Sequence, residues 1–120
     1  MKHATTLIIG SIMAALGIAL GAFGSHGLRH ILDQVQLDWW HTAVQYQMWH
    51  ALGLIGLGSS RMERLTLPVS LLTVGTLIFS GTLYMLALTG LHWLGMITPI
   101  GGLLMMAGWL SFAWRAWRSR

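Results

Sequence analysis

The chain has 120 residues, 55% of them hydrophobic and 8% charged, with a mean hydropathy of +0.66, a composition that excludes an ordinary water-soluble domain and indicates a membrane protein. Its net charge of +4 comes from Lys and Arg residues beside apolar stretches, so the charge predicts membrane topology and we expect no nucleic-acid partner. Cysteine is absent, which excludes disulfides, a thiolate nucleophile and metal sites built on sulfur.

Four apolar stretches follow one another, at residues 4–23, 40–58, 65–88 and 93–113. Each is near the ~20 residues that a helix needs to cross ~30 Å of hydrocarbon. We therefore predict an all-α, polytopic membrane protein, a four-transmembrane-helix bundle in which residues 1–120 form a single domain. The first stretch is too long for the apolar core of a secretory signal, so we expect it to remain as the first helix.

Basic residues concentrate on one side of these predicted spans. If the spans alternate in direction, only Arg29 falls on the other side. The positive-inside rule then predicts a multi-pass protein of the lipid bilayer with both termini in the cytoplasm. The six basic residues on the cytoplasmic side are Lys2, Arg61, Arg64, Arg115, Arg118 and Arg120.

The first predicted helix has a stripe of small residues within a sector of about 80°. Small residues at this spacing let helix backbones approach closely in lipid. We expect the stripe to pack inside the bundle, with a dimer seam as the alternative. Its members are Gly10, Ala14, Gly17, Gly21 and Gly24.

The connection between the first two spans, residues 25–39, mixes apolar and polar residues. Leu28, Ile31, Leu32 and Val35 repeat at helical spacing, which predicts a short interfacial helix between helices 1 and 2. Trp39 and Trp40 would then anchor the next span at headgroup depth.

The second span is the most polar of the four. Helical geometry places Tyr46, Gln47 and His50 on one face, whereas His41 and Gln45 point to nearly the opposite side. Polar side chains inside a membrane generally face protein or water, so the first face is the default functional site.

The third span has a matching polar face, within about 80°. We expect its hydroxyls to hydrogen-bond to the Tyr46–Gln47–His50 face, and so form one polar cluster. This face comprises Thr73, Thr76, Ser80, Tyr84 and Ala87.

The fourth span contains Pro99, Gly101 and Gly102 close together. A missing backbone donor beside flexible glycines predicts a kink or a local break of the helix there. Further along, Trp109 and Trp114 have the pattern of an ordinary interface anchor at the cytoplasmic end.

Several histidines fall at the opposite end under this topology, including His26 and His30. The two form an i, i+4 pair if their segment is helical, which makes them candidate metal ligands, with plain solvated histidines as the alternative. His50 is either a buried histidine satisfied by Tyr46, Ser80 or Tyr84, or a site for a proton, a quinone headgroup or haem.

Four motifs in order resemble one family over nearly the whole chain: GAFGSHGL at 21–28, W-x-TAVQYQ-x-x-HALGL at 40–54, FSGTLY-x-LALTG at 79–90 and LG-x-ITPIGG at 94–102. The chain resembles the small inner-membrane proteins of domain-of-unknown-function family number 423, which is related to eukaryotic transmembrane protein 256. The resemblance implies a four-helix fold in the bacterial inner (plasma) membrane, and no established activity. It emphasises Gly21, Gly24, His26, Gly27, Tyr46, Gln47, His50, Ser80, Gly81, Tyr84, Pro99, Gly101 and Gly102.

No catalytic set emerges, because the chain has only three acidic residues and no nucleophile with a histidine and carboxylate at interpretable spacing. We therefore expect no enzyme. Three functions stay open: a structural or accessory bundle, with a homo-oligomer or a membrane-protein partner; a small-molecule or proton module around His50; and an extracytoplasmic metal binder. No cofactor can be named.

Overall fold

The structure, a computed structural model, describes residues 2–120 and is all-helical over that range. Turns and short extended segments connect the helices at residues 27–33, 60–65 and 90–93. The prediction of an all-α architecture is thus confirmed. The four helices are α1 (His3–His26), α2 (Gln34–Ser59), α3 (Thr66–Thr89) and α4 (Leu94–Arg118).

The predicted interfacial helix is not present as a separate element. Residues 27–32 form turns, and Gly27 closes α1 with its N–H bonded to the Phe23 carbonyl. Asp33 then starts α2 through a capping box with Gln36, in which each side chain accepts from the other residue's backbone N–H. Because this cap begins a new helix at Gln34, the second half of the predicted interfacial segment becomes the first turns of α2.

Each helix packs antiparallel against the next one along the chain, so contacts run from α1 to α2, to α3 and to α4. Within residues 2–120, α1 and α4 do not pack along one another. The bundle is therefore an open series rather than a closed ring. Its core lies along the α1–α2–α3 seams, with Leu54, Val69 and Leu72 completely enclosed.

The stripe of small residues on α1 lies against α2. A side-chain carbon placed on Gly10 would lie 2.9 Å from the Ala51 carbonyl oxygen, and one on Gly21 would lie 3.3 Å from a methyl of Val44. Gly17 and Gly24 face the side chains of Met48 and Trp40, which also belong to α2. The stripe thus lies in an internal seam of this bundle.

α4 continues from Leu94 to Arg118 with Pro99 inside it, so the helix is not interrupted at the predicted position. Gly101 has a different role there. A side-chain carbon at Gly101 would lie 2.6 Å from the Gly75 carbonyl oxygen and in collision with the Phe79 backbone nitrogen. The glycines of this seam therefore allow α3 and α4 to touch backbone to backbone.

Three helices are long and apolar enough to cross a membrane: α1, α3 and α4. α2 does not reach that level of hydropathy because of its polar residues. The fold therefore belongs to a helical membrane protein, with α2 as the helix that holds most of the polar chemistry.

Candidate functional site

The predicted polar cluster separates into two parts, and the first is centred on Gln47. This side chain is only 7% exposed. Its amide nitrogen donates to the Met13 carbonyl of α1 at 2.9 Å, and its amide oxygen accepts from the Tyr84 hydroxyl of α3 at 2.7 Å. One side chain thereby links three helices, with both sides of its amide satisfied.

Two further hydrogen bonds tie the same helices together on the side of Gln47 toward the start of α2. The Ser80 hydroxyl donates to the Ala43 carbonyl at 2.7 Å, and the Trp40 indole donates to the Leu20 carbonyl at 2.8 Å. Trp40 also contacts the Tyr84 ring edge to face. These contacts place Ser80 and Tyr84 where the helical wheel predicted, facing α2.

The second part is centred on His50, which is also buried. One ring nitrogen, Nδ1, lies 2.8 Å from the Tyr46 carbonyl in its own helix, and Nε2 accepts from the Trp109 indole N–H of α4 at 3.1 Å. This pair of contacts defines the tautomer: Nδ1 is protonated and Nε2 is the acceptor. His50 is therefore held by Trp109, and not by the hydroxyls of Ser80 or Tyr84.

The sequence pattern predicts an interface anchor at Trp109, but the structure gives this side chain a hydrogen-bond partner within the bundle. Its indole lies on Gly53 and His50 of α2 and is only 37% exposed, whereas Trp114 and Trp117 are about 60% exposed. Sequence spacing could not reveal this contact, because the two partners are 59 positions apart. The available signal for this contact was Gly53, because a residue without a side chain leaves room on α2 for a large ring.

A groove of about 490 Å³ opens beside this histidine, between α2, α3 and α4. Tyr46, Phe79 and Trp109 supply aromatic walls, and Pro99 and Gly102 form part of the α4 side. The Tyr46 ring stacks on the imidazole of His50, with 6.2 Å between ring centroids and 12° between planes. The groove is thus mostly apolar, with one imidazole and one phenol at its wall.

Thr73 and Thr76 do not join either part. Their hydroxyl oxygens are buried and have no hydrogen-bond partner within residues 2–120. Thr82 and Thr98 instead share a 2.6 Å hydrogen bond across the α3–α4 seam. The predicted cluster of Tyr46, Gln47, His50, Thr76, Ser80 and Tyr84 is therefore adjacent in space but not one connected network.

His41 and Gln45 lie on the outward face of α2, as helical geometry predicted, and both are exposed. Trp49, Leu52 and Gly56 continue the same exposed stripe toward the other end of the helix. Gln45 has no hydrogen-bond partner among the described residues. A carboxamide thus points away from the bundle, with the exposed apolar residues Trp49 and Leu52 following it on the same stripe.

The candidate metal ligands His26 and His30 are exposed and lie on different segments, one ending α1 and the other in the following turn. The i, i+4 helical pairing is therefore not formed, because α1 ends at Gly27. Within residues 2–120, no group of three or more His, Asp or Glu side chains is arranged to hold a metal ion. A metal site here stays a prediction without geometric support.

These features define a class: a small integral membrane protein built from four helices, with polar side chains buried between them. The chain belongs to the family described as "Protein of unknown function (DUF423)", which matches residues 20–102. The family resemblance found in the motifs is thereby confirmed.

Relatives from several bacteria cover most of the chain. A UPF0382 membrane protein of Staphylococcus haemolyticus is 45% identical over 107 residues, covering 87% of this chain and 88% of the relative. The UPF0382 membrane protein YwdK of Bacillus subtilis is 41% identical, with 87% and 89% covered. The UPF0382 inner membrane protein YgdD of Escherichia coli is 37% identical, with 86% and 82% covered. No solved structure matches the chain.

Proposed function

We propose that the protein crosses the bacterial inner membrane four times, with α2 as the additional span. α2 has 26 residues, which corresponds to about 39 Å of helix. It packs between α1 and α3, both apolar enough to span. Its lower hydropathy comes partly from Gln47 and His50, which are buried against protein and need not face lipid. The name of the Escherichia coli relative supports the inner membrane as the location.

We propose a structural or accessory role for this bundle. The supporting observation is the paired network around Gln47, in which Tyr84 and the Met13 carbonyl satisfy its amide. A conducting path would need polar side chains exposed to water along the bundle axis. Here Gln47, Ser80 and Tyr84 bond to one another or to backbone of a neighbouring helix, so they join helices instead.

The accessory role needs a surface for assembly, and we assign it to the outward stripe of α2, defined by His41, Gln45, Trp49, Leu52 and Gly56. An unpaired amide facing hydrocarbon is unfavourable, and in lipid it gains by bonding across to another helix. The occupant we propose is a second copy of the chain. Two copies share one orientation in the membrane, so a twofold axis along the membrane normal brings Gln45 against Gln45 at equal depth, and an amide is its own complementary partner.

Cysteine cross-linking tests this assembly cleanly because the chain has no cysteine. Gln45→Cys in native membranes should give a dimer-sized band on mild oxidation. Leu77→Cys is the matched control, since Leu77 is 63% exposed on α3 at a similar level and lies away from the stripe. A Gln45→Cys variant that stays monomeric, or equal cross-linking of Leu77→Cys, would contradict the proposal.

A second candidate function rests on the groove beside His50. Its wall consists of the rings of Phe79 and Trp109, the phenol of Tyr46 and the imidazole of His50. This combination suits a flat apolar molecule that has a hydrogen-bonding oxygen, such as a quinone. Tyr46 is available for such a ligand, since its hydroxyl has no hydrogen-bond partner among the described residues.

Native mass spectrometry and an absorption spectrum of the detergent-released protein test this second function. A retained quinone, or haem, that is lost in Met106→Trp would support it, because Met106 lines the groove without joining the hydrogen-bond network. An apo mass for the wild-type protein would count against ligand binding and leave the structural role.

A further inference from the structure

A cavity of about 740 Å³ lies at the end of the bundle where the α2–α3 connection meets the end of α4. Its basic wall consists of Arg61, Arg64, Arg115 and Arg118. The start of α1 lies at the same end, since the His3 imidazole is 2.8 Å from the Met62 carbonyl. In the sequence these arginines predict only which end of the bundle faces the cytoplasm. The fold gathers them from two distant segments around one space.

The arginines of this cavity are not neutralised by protein carboxylates. Glu63 is the acidic residue in the cavity wall, yet no ion pair forms between it and any of the four guanidinium groups. Arg118 makes a cation–π contact with the Trp114 ring, at 5.8 Å from the ring centroid. Four positive groups therefore surround one space against a single negative charge, which makes the space attractive to an anion.

The backbone of the α2–α3 connection is strained at one of these arginines. Arg64 has φ of +60°, in the left-handed region that residues other than glycine seldom adopt. Such a conformation costs of order 1–3 kcal/mol and persists only where the surroundings hold it. Arg64 is also one of the residues that line the cavity.

The cavity also has an apolar wall, formed at the start of α3 and near the end of α4. Leu67 and Trp114 line the cavity and are largely exposed. Tryptophan beside arginine at the end of a spanning helix is typical of headgroup depth. A ligand here therefore meets guanidinium groups at one end and apolar surface leading into the bilayer at the other.

We propose that this cavity binds the phosphate headgroup of an anionic phospholipid. Guanidinium groups bind phosphate oxygens through paired, charge-assisted hydrogen bonds, and basic pockets between spanning helices are suited to anionic lipid headgroups. Leu67 and Trp114 provide the surface for an acyl chain. The proposal uses the membrane location of the chain but neither its orientation nor the α2 assembly.

The test is native mass spectrometry of the full chain in detergent, titrated with phosphatidylglycerol, cardiolipin or phosphatidylcholine. We expect one anionic lipid per chain to bind in preference to phosphatidylcholine. Arg64→Gln with Arg115→Gln should weaken binding about tenfold or more, since each lost guanidinium removes charge-assisted hydrogen bonds to the phosphate. Replacing the same two arginines with lysine should restore most of the affinity.

The matched control is Lys2→Gln with Arg120→Gln, which removes the same charge at the same end but outside the cavity wall. It should change binding less than twofold. Equal loss in both double variants would show that net charge alone attracts the lipid, and would overturn the proposal. Binding of inorganic phosphate in lipid-free detergent, with the same dependence on Arg64 and Arg115, would assign the cavity to a soluble phosphate and would overturn it as well.

Discussion

The hydrogen bond from Tyr84 to Gln47 joins α3 to α2 inside the bundle, where Gln47 is buried and Tyr84 is partly buried. Hydrogen bonds of this kind between membrane helices contribute about 0.6 kcal/mol on average, and up to about 1.7 kcal/mol. Removing the donor also leaves the Gln47 oxygen unpaired. The effect of removing the Tyr84 hydroxyl on the free energy of unfolding therefore measures the contribution of this hydrogen bond.

We predict that Tyr84→Phe lowers the free energy of unfolding by about 0.5–1.5 kcal/mol. Tyr46→Phe is the control, because the Tyr46 hydroxyl has no hydrogen-bond partner among the described residues and its loss should have a smaller effect. Unfolding in mixed micelles, followed by circular dichroism, measures both. Equal stability of Tyr84→Phe and the wild type would count against the network.

The contact of Trp109 with His50 makes a second prediction at this scale. His50→Leu removes the acceptor for a half-buried indole N–H, so we expect a loss of about 1–2 kcal/mol in unfolding free energy. His30→Ala, in an exposed turn, should change it by less than about 0.5 kcal/mol. Thermal unfolding of the two variants beside the wild type measures the difference, and a His50→Leu variant as stable as His30→Ala would remove His50 from the packing of the bundle.

At the scale of elements, helix seams depend on the absence of side chains at a few positions. Gly101 of α4 lies directly on the α3 backbone at Gly75 and Phe79. Backbone cannot move aside as a flexible side chain can, so this position accepts no added carbon without separating the two helices. Gly81, on the same helix pair, has no atom within 4 Å of the position that a side-chain carbon would take.

We predict opposite signs for two alanine substitutions. Gly101→Ala should destabilise the bundle by about 1–3 kcal/mol through overpacking, whereas Gly81→Ala should stabilise it by about 0.5–1 kcal/mol through reduced backbone entropy. Chemical unfolding of both variants gives the comparison. If Gly101→Ala were as stable as Gly81→Ala, the α3–α4 seam could not be as close as described.

At the scale of the whole molecule, alternation of four spans places the chain ends and the α2–α3 connection together. The basic cavity, the N-terminal segment and the end of α4 do share one end of the bundle. The turns at residues 27–32 and 90–93 lie at the opposite end. Charge asymmetry between the two ends is thus a property of the folded chain as well as of its sequence.

We predict that a membrane-impermeant maleimide labels Thr89→Cys in intact cells but labels Ser119→Cys only after permeabilisation, because the positive-inside rule predicts that the arginine-rich end faces the cytoplasm. Ser59, Thr89 and Ser119 are each exposed at the end of a helix. Ser59→Cys should behave like Ser119→Cys. Labelling of Ser59→Cys together with Thr89→Cys from outside would contradict the span assigned to α2.

Periodicity and composition determined by themselves that the chain is all-helical and belongs in a membrane, because these depend on local apolar length and on the distribution of charge along the chain. They also placed the small-residue stripe of α1 and the outward position of Gln45, since both follow from 100° per residue within one helix. The family motifs identified the fold class for the same reason, because each motif is a short continuous stretch of the sequence.

Only the tertiary structure decided which side chains meet. It paired His50 with Trp109, gave Gln47 a carbonyl of α1 as partner, left Thr76 unpaired and brought two arginine segments around one cavity. It also replaced the expected interfacial helix with a capped turn and kept α4 continuous through Pro99. These outcomes depend on helix rotation and on contacts between residues far apart in sequence, which a helical period within one segment does not specify.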